Sequence, residues 1–178
     1  MVRQAHHERN TPAPVRPEPV EGRANPLRWF VLSALVIVLD QMTKAWIVEA
    51  LQPGSGVALT GFFNLVHVYN DGAAFSFLRG AGGWQRWVFT LLALGISAWL
   101  VMTIRQHARE RLLPFALSLV LGGALGNLID RIRMGAVIDF LDAHWGGAHF
   151  PAFNVADSAI TIGVVLLLWQ QIFVTKKT

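Results

Sequence analysis

Asp139 and Asp157 bracket the stretch VIDFLDAHWGGAHFPAFNVAD, Val137 to Asp157, with long apolar runs before and after it. Carboxylates at the edge of a bilayer are costly unless a task holds them there. Two carboxyls brought close together cannot both ionise readily, so they share a proton. One then takes a proton from water while the other protonates or polarises a scissile carbonyl. That chemistry is peptide-bond hydrolysis without a metal or cofactor. The two aspartates are too far apart in sequence for one helix face, so the segment between them must fold back. A competing reading stays open: Asn154 or Asp157 caps a following helix, and Asp139 pairs with Arg131 or Arg133.

Other polar positions fall in similar surroundings. Asp40 and Lys44 stand at i and i+4 within DQMTK and share a helix face, where an ion pair reduces their cost; snorkelling to the interface is the alternative. Asn70, Asp71 and Gly72 form a turn signal. The small Ala73 and Ala74 after it let backbone approach a ligand. Asn127, Asp130 and Arg131 lie within about one helical turn. Ser158 and Thr161 have no histidine at a suggestive position. His144 and His149 flank a Gly-Gly turn near Asp142, but their spacing matches no metal motif, and they read as polar loop residues. The chain has no cysteine, which excludes disulfides, thiolate metal sites and a cysteine nucleophile.

These residues need a membrane frame. Of 178 residues, 53% are hydrophobic and 15% charged, and the apolar residues are blocked together, as in an integral membrane bundle. The net charge of +4 comes from Lys and Arg at helix ends rather than from a basic face interleaved with aromatics, so nucleic acid is not an expected partner. Residues 1–26, polar and Pro-rich, read as a disordered cytoplasmic tail. Spans are expected at about 27–51, 87–104, 112–131 and 157–174, within one domain covering 27–174, with 175–178 as a C-terminal tail. Segment 52–85 is Gly-rich with aromatic and β-branched residues and reads as short strands on the outer membrane surface. Segment 139–156 reads as a second outer surface segment, with Trp145, Phe150 and Phe153 at headgroup level. Gly122, Gly123 and Gly126 offer a smooth face for helix packing. The fold class is thus a four-transmembrane-helix bundle with a small β-sheet surface subdomain. Lys and Arg in the short flanks place both termini in the cytoplasm and the aspartates outside.

Five blocks carry a resemblance: DQMTK at Asp40–Lys44, NDGAAFSF at Asn70–Phe77, GNLIDR at Gly126–Arg131, VIDF at Val137–Phe140 and FNVADS at Phe153–Ser158. Their order and spacing resemble the lipoprotein signal peptidase (signal peptidase II) family over Leu27 to Val174. The resemblance implies an aspartyl endopeptidase of the bacterial cytoplasmic membrane. It would cleave a prolipoprotein just before a diacylglyceryl-modified cysteine. It also implies Asp139 and Asp157 as the catalytic pair, with Asp40, Lys44, Asn70, Gly72, Asn127, Asp130, Arg131 and Asn154 in support. Membrane lipids and a globomycin-type inhibitor are implied partners. Two other classes use the same residues: a small proton-coupled transporter, and a non-catalytic subunit that holds a lipidated peptide.

Overall fold

The computed structural model describes residues 25–71 and 83–174. Gly72, Ala73 and Ala74, the N-terminal tail up to residue 24 and the last four residues lie outside that set. Four helices, α1 (Leu27–Ala50), α2 (Trp84–Gln106), α3 (Leu112–Met134) and α4 (Val155–Trp169), carry the bundle. A π-helical turn, Gln170–Val174, extends α4. All four are long and apolar enough to cross a membrane.

The central helix is α3: 56% of its apolar window is buried, against 28%, 22% and 17% for the others. Its glycines explain how it fits between two neighbours. A Cβ added at Gly122 would stand 2.8 Å from the Ser33 carbonyl oxygen of α1, and one at Gly126 would stand 2.7 Å from the Asp40 carboxylate. One at Gly123 would collide with the Ala156 carbonyl of α4. Small residues allow this approach where lipid supplies no hydrophobic drive for helix association. From α4, Gly163 returns the arrangement, 2.7 Å from the Ala116 carbonyl oxygen by the same measure. Outward-facing Leu35, Leu39, Met42, Leu91 and Val165 stay exposed, as lipid-facing side chains do.

The two ends of the bundle are built differently. At one end, Trp29, Leu100, Ile104, Ala108, Leu117 and Leu121 form an apolar cluster. There the Trp29 indole N–H and the Arg28 guanidinium both donate to the Ala108 carbonyl, at 3.1 and 3.2 Å, tying the start of α1 to the turn after α2. At the other end a four-stranded antiparallel sheet sits on the helices in the order β1 (Gly56–Ala58), β2 (Phe63–Asn70), β3 (Val137–Trp145), β4 (Ala148–His149). Ile47 of α1 packs there against Ile138 and Phe140 of β3. The His67 ring nitrogen Nδ1 lies 2.8 Å from the Leu51 carbonyl oxygen and ties β2 to the end of α1. Segment 139–156 therefore supplies strands of the sheet as well as an interfacial loop.

Two local features aim the sheet at the helices. Gly135, at φ +79°, closes α3 in the left-handed region and donates to the Arg131 carbonyl, so the chain reverses directly into β3. Within β3, the amides of Phe140 and Leu141 both donate to the Phe153 carbonyl, at 3.0 and 2.8 Å. Two residues thus oppose one, which is a bulge. It resets the alternation of side chains along the strand.

Replacing Gly123 by Val is expected to lower the midpoint of thermal unfolding in detergent by several degrees, an overpacking cost of roughly 1–3 kcal/mol. Gly95→Ala on α2, where an added Cβ meets nothing within 4 Å, should leave it unchanged or slightly raised. Equal midpoints for the two variants would contradict the close α3–α4 approach.

Candidate active site

Asp40, Lys44, Asn127 and Asp130 meet in the interior, and all four are buried. The ammonium of Lys44 has three donors, and each has an acceptor: Asp40 Oδ2 at 2.8 Å, Asp130 Oδ2 at 2.7 Å and Asn127 Oδ1 at 2.9 Å. A donor-only ammonium fixes the Asn127 amide with its oxygen inward. Its nitrogen must then point the other way, and it donates to Asp157 Oδ1 at 2.7 Å. Asp40 has a second task. Its Oδ1 accepts the Ala156 amide at 2.9 Å, satisfying one of the open N–H groups at the start of α4.

Asn154 is oriented by the same logic. It is the N-cap of α4, and its Oδ1 accepts from the Asp157 amide at 2.9 Å while its own amide donates to Asp157 Oδ2 at 3.3 Å. With its oxygen committed, its Nδ2 faces Asp139 Oδ1 at 2.8 Å and Asn127 Oδ1 at 3.2 Å. The other oxygen of Asp139 accepts from Asn70 Nδ2 at 3.0 Å. The two aspartates are therefore held by one connected set of amides. Capping and pairing with Asp139 across this set coexist: Asp157 takes part in the capping box while its carboxylate lines the cavity beside Asp139.

That cavity, about 940 Å3, opens between the sheet and α4. Val66, Val68, Phe150, Phe153, Ile160 and Ile162 give it apolar walls, and Asn70, Asn127, Arg131, Asp139 and Asp157 form its polar floor. The Arg131 guanidinium lies 5.5 Å from the Phe89 ring centroid and borders the same cavity. Burial, and then the nearby Asp157 charge, push the Asp139 carboxyl up to about 7. Farther out, Asp142 accepts from Asn64 Nδ2 at 2.8 Å and lies 2.9 Å from His149 Nδ1. Burial works against the Asp142 anion, but these hydrogen bonds outweigh it and hold the carboxyl below the usual carboxylate range. Among the described residues no cluster of His, Asp or Glu is arranged to hold a metal ion.

The residue types alone did not expose every member. Gln41 donates to Asp130 Oδ1 at 2.9 Å and to Asp40 Oδ2 at 3.2 Å, bracing both anions. Its place inside DQMTK was the available signal. The Asn64–Asp142–His149 cluster depends on strand pairing that no spacing reveals. Gly72 falls outside the described residues.

The chain is a polytopic membrane bundle by helix length and composition, with two carboxylates on the floor of an apolar cavity. The model of the family described as Signal peptidase (SPase) II matches residues 32–173, so the chain belongs to that family, whose members are proteases. It is 52% identical over 155 residues to the lipoprotein signal peptidase of Burkholderia vietnamiensis (strain G4 / LMG 22486), covering 87% of this chain and 92% of the relative. It is 55% identical over 146 residues to that of Azoarcus sp. (strain BH72), covering 82% and 83%. A solved bacterial membrane enzyme superposes with a TM-score of 0.77 at 33% identity, covering 85% of this chain and 91% of that one. The transporter and the non-catalytic subunit are not favoured.

The raised Asp139 carboxyl has a consequence for stability. Its ordinary value is 3.8 and its folded value about 7, so between those limits the native state binds more protons than the unfolded chain. Its contribution is full below pH 3.8 and is lost as pH rises through 7, a change on the order of 4 kcal/mol. The unfolding midpoint should therefore fall from pH 5 to pH 8, and Asp139→Asn should remove most of that fall. An unaltered slope in the variant would show that another group carries it.

Proposed function

We propose that the protein is an aspartyl endopeptidase of the bacterial inner membrane. It removes the signal peptide from a prolipoprotein by cutting just before a diacylglyceryl-modified cysteine. The observation that carries this reading is the pair Asp139 and Asp157 on the floor of one apolar cavity, each oriented by an amide that is itself fixed from below. The membership in a family of signal peptidases supports the reaction, and the apolar walls suit a lipid-bearing peptide.

The chemistry follows from the shared proton. With Asp139 titrating near 7, the pair carries one proton in the neutral range. The ionised carboxylate takes a proton from water, whose oxygen attacks the scissile carbonyl carbon, while the protonated carboxyl gives its proton to the carbonyl oxygen. Collapse of the tetrahedral adduct breaks the C–N bond: one hydroxyl proton of the adduct returns to the carboxylate that acted as acid, and the proton taken from water passes to the departing amine, which restores the singly protonated pair. Asn127 and Asn154 position the two carboxylates. Asn70 holds Asp139 from the sheet side, and Arg131 offers a cation to substrate carbonyls at the cavity wall. Asp40, Lys44 and Asp130 hold Asn127 and the start of α4. A globomycin-type inhibitor would occupy the cavity in place of substrate, and membrane lipids surround the bundle. No cofactor enters the scheme.

The charge of the flanks supports a topology with both termini in the cytoplasm and the cavity at the outer face. By the same reading, 27–174 forms the catalytic domain between two cytoplasmic tails.

Asp139→Asn and Asp157→Asn, expressed separately in cells lacking the endogenous activity, should each accumulate unprocessed prolipoprotein on a gel, with rates down by at least about a thousandfold, as loss of a concerted catalytic group implies. Normal maturation by either variant at normal protein level would remove the pair from the mechanism. A reporter enzyme fused after Val174 should be active only in its cytoplasmic form; an extracytoplasmic signal would invert the topology.

A further inference from the structure

Besides the acid pair, the cavity holds a second anion. Asp142 and His149 both line it, beyond Asp139 along β3. In a regular strand, residues three apart face opposite sides. Here the bulge opposite Phe153 inserts the pair Phe140 and Leu141 between them, which returns Asp142 to the face of Asp139. Three strand residues separate the two carboxylates by ~10 Å. The Asp142 carboxylate is largely buried, at 11% side-chain exposure, and accepts from Asn64 Nδ2 and His149 Nδ1. His149 contacts Asp142 through Nδ1, and its half-exposed ring stacks on His144 at 5.1 Å. The mechanism uses none of these groups.

We infer that Asp142 and His149 form a specificity subsite that reads the substrate two to three residues past the cut bond and disfavours acidic side chains there. This rests on the peptidase reading above. The cavity runs from Ile160 and Ile162 on α4, past the acid pair, to Asp142 and His149 on the sheet. An apolar signal segment matches the helix end, so the released chain extends along the sheet end. An extended peptide advances about 3.3 Å per residue, so ~10 Å reaches the second or third residue after the cut. There it meets a fixed carboxylate at partly buried position, where a like charge is repelled and a cationic or neutral polar side chain is accepted.

The test compares three lipidated peptide substrates that differ only in carrying Asp, Asn or Lys at the second and third positions after the cleavage site. The purified full-length protein in detergent should cleave the Asp substrate about three- to tenfold less efficiently in kcat/KM than the Lys substrate, with Asn between. Asp142→Asn should bring the Asp and Lys substrates to within about twofold of each other. The readout is a ratio on one preparation, so a partly folded variant does not mimic it. Equal cleavage of the three substrates by the unaltered protein would overturn the inference, and so would discrimination that persists undiminished in Asp142→Asn. Failure to cleave any of the three would instead overturn the peptidase reading on which the subsite rests.

Discussion

The ammonium of Lys44 is the interaction on which the rest of the site depends. It is buried among two anions and an amide, and all three of its hydrogens are matched. Buried ion pairs add little net stability, because desolvation offsets the Coulombic gain. Their removal is another matter: deleting one partner leaves a buried charge uncompensated, at a cost of roughly 3–5 kcal/mol. Here deletion of the ammonium would strand two carboxylates at once. The arrangement is therefore better understood as a device for direction than for strength. An ammonium can only donate, so Asn127 can face it only with oxygen, and the Asn127 nitrogen is delivered to Asp157 with no alternative orientation. The same Asp40 that pairs with Lys44 also holds the Ala156 amide, so the helix that carries Asp157 starts where the ion cluster dictates.

Positioning of Asp139 follows a different route, through backbone. The left-handed Gly135 turns the chain out of α3 and into β3, and the Ile138 amide contacts Asp130 Oδ2 at 3.4 Å. Asn154 then links the strand to α4 by donating to Asp139 while capping the helix that bears Asp157. One asparagine thus joins two elements that are distant in sequence. The fold-back between Val137 and Asp157 brings the two carboxylates together because the bridge Leu141–Phe153 closes it, not because a loop happens to be short.

Much of this was legible in the residues, for identifiable reasons. Helices announce themselves by length and hydropathy, and ionisable residues inside apolar runs are conspicuous, so the four-helix bundle, its small sheet and the buried Asp40–Lys44 pair could be anticipated. The strand VIDFLDAHW was harder. It is buried on both sides over its first four residues and then interrupted by a bulge, so no period of two survives in the sequence to mark it. Gln41 was marked only by its place in DQMTK: its partners Asp130 and Asp40 lie on two different helices, and only packing reveals that a neutral amide is needed between two anions. The Asp142–His149 pair was hidden because Asp142 meets Asn64 only through the register of β2 against β3, and His149 reaches Asp142 only through the pairing of β3 with β4.

The placement of so many polar groups in a membrane bundle constrains what surrounds them. Lipid cannot hydrogen-bond to a stray donor, so every buried member must be satisfied within the protein. That demands helices close enough for side chains of one to reach the backbone of another, as Asp40 reaches Ala156 and Gln41 reaches the Gly126 carbonyl at 3.2 Å. Gly122, Gly123 and Gly126 permit that distance, and any Cβ on them would displace backbone or the Asp40 carboxylate itself. The glycine face of α3 and the polar network are thus one design requirement seen from two sides. Small residues bring α1 and α4 within reach of each other across α3, and the ion cluster uses that reach to orient the acid pair. The bulge in β3 extends the same logic outward, because it turns a third carboxylate, Asp142, onto the cavity.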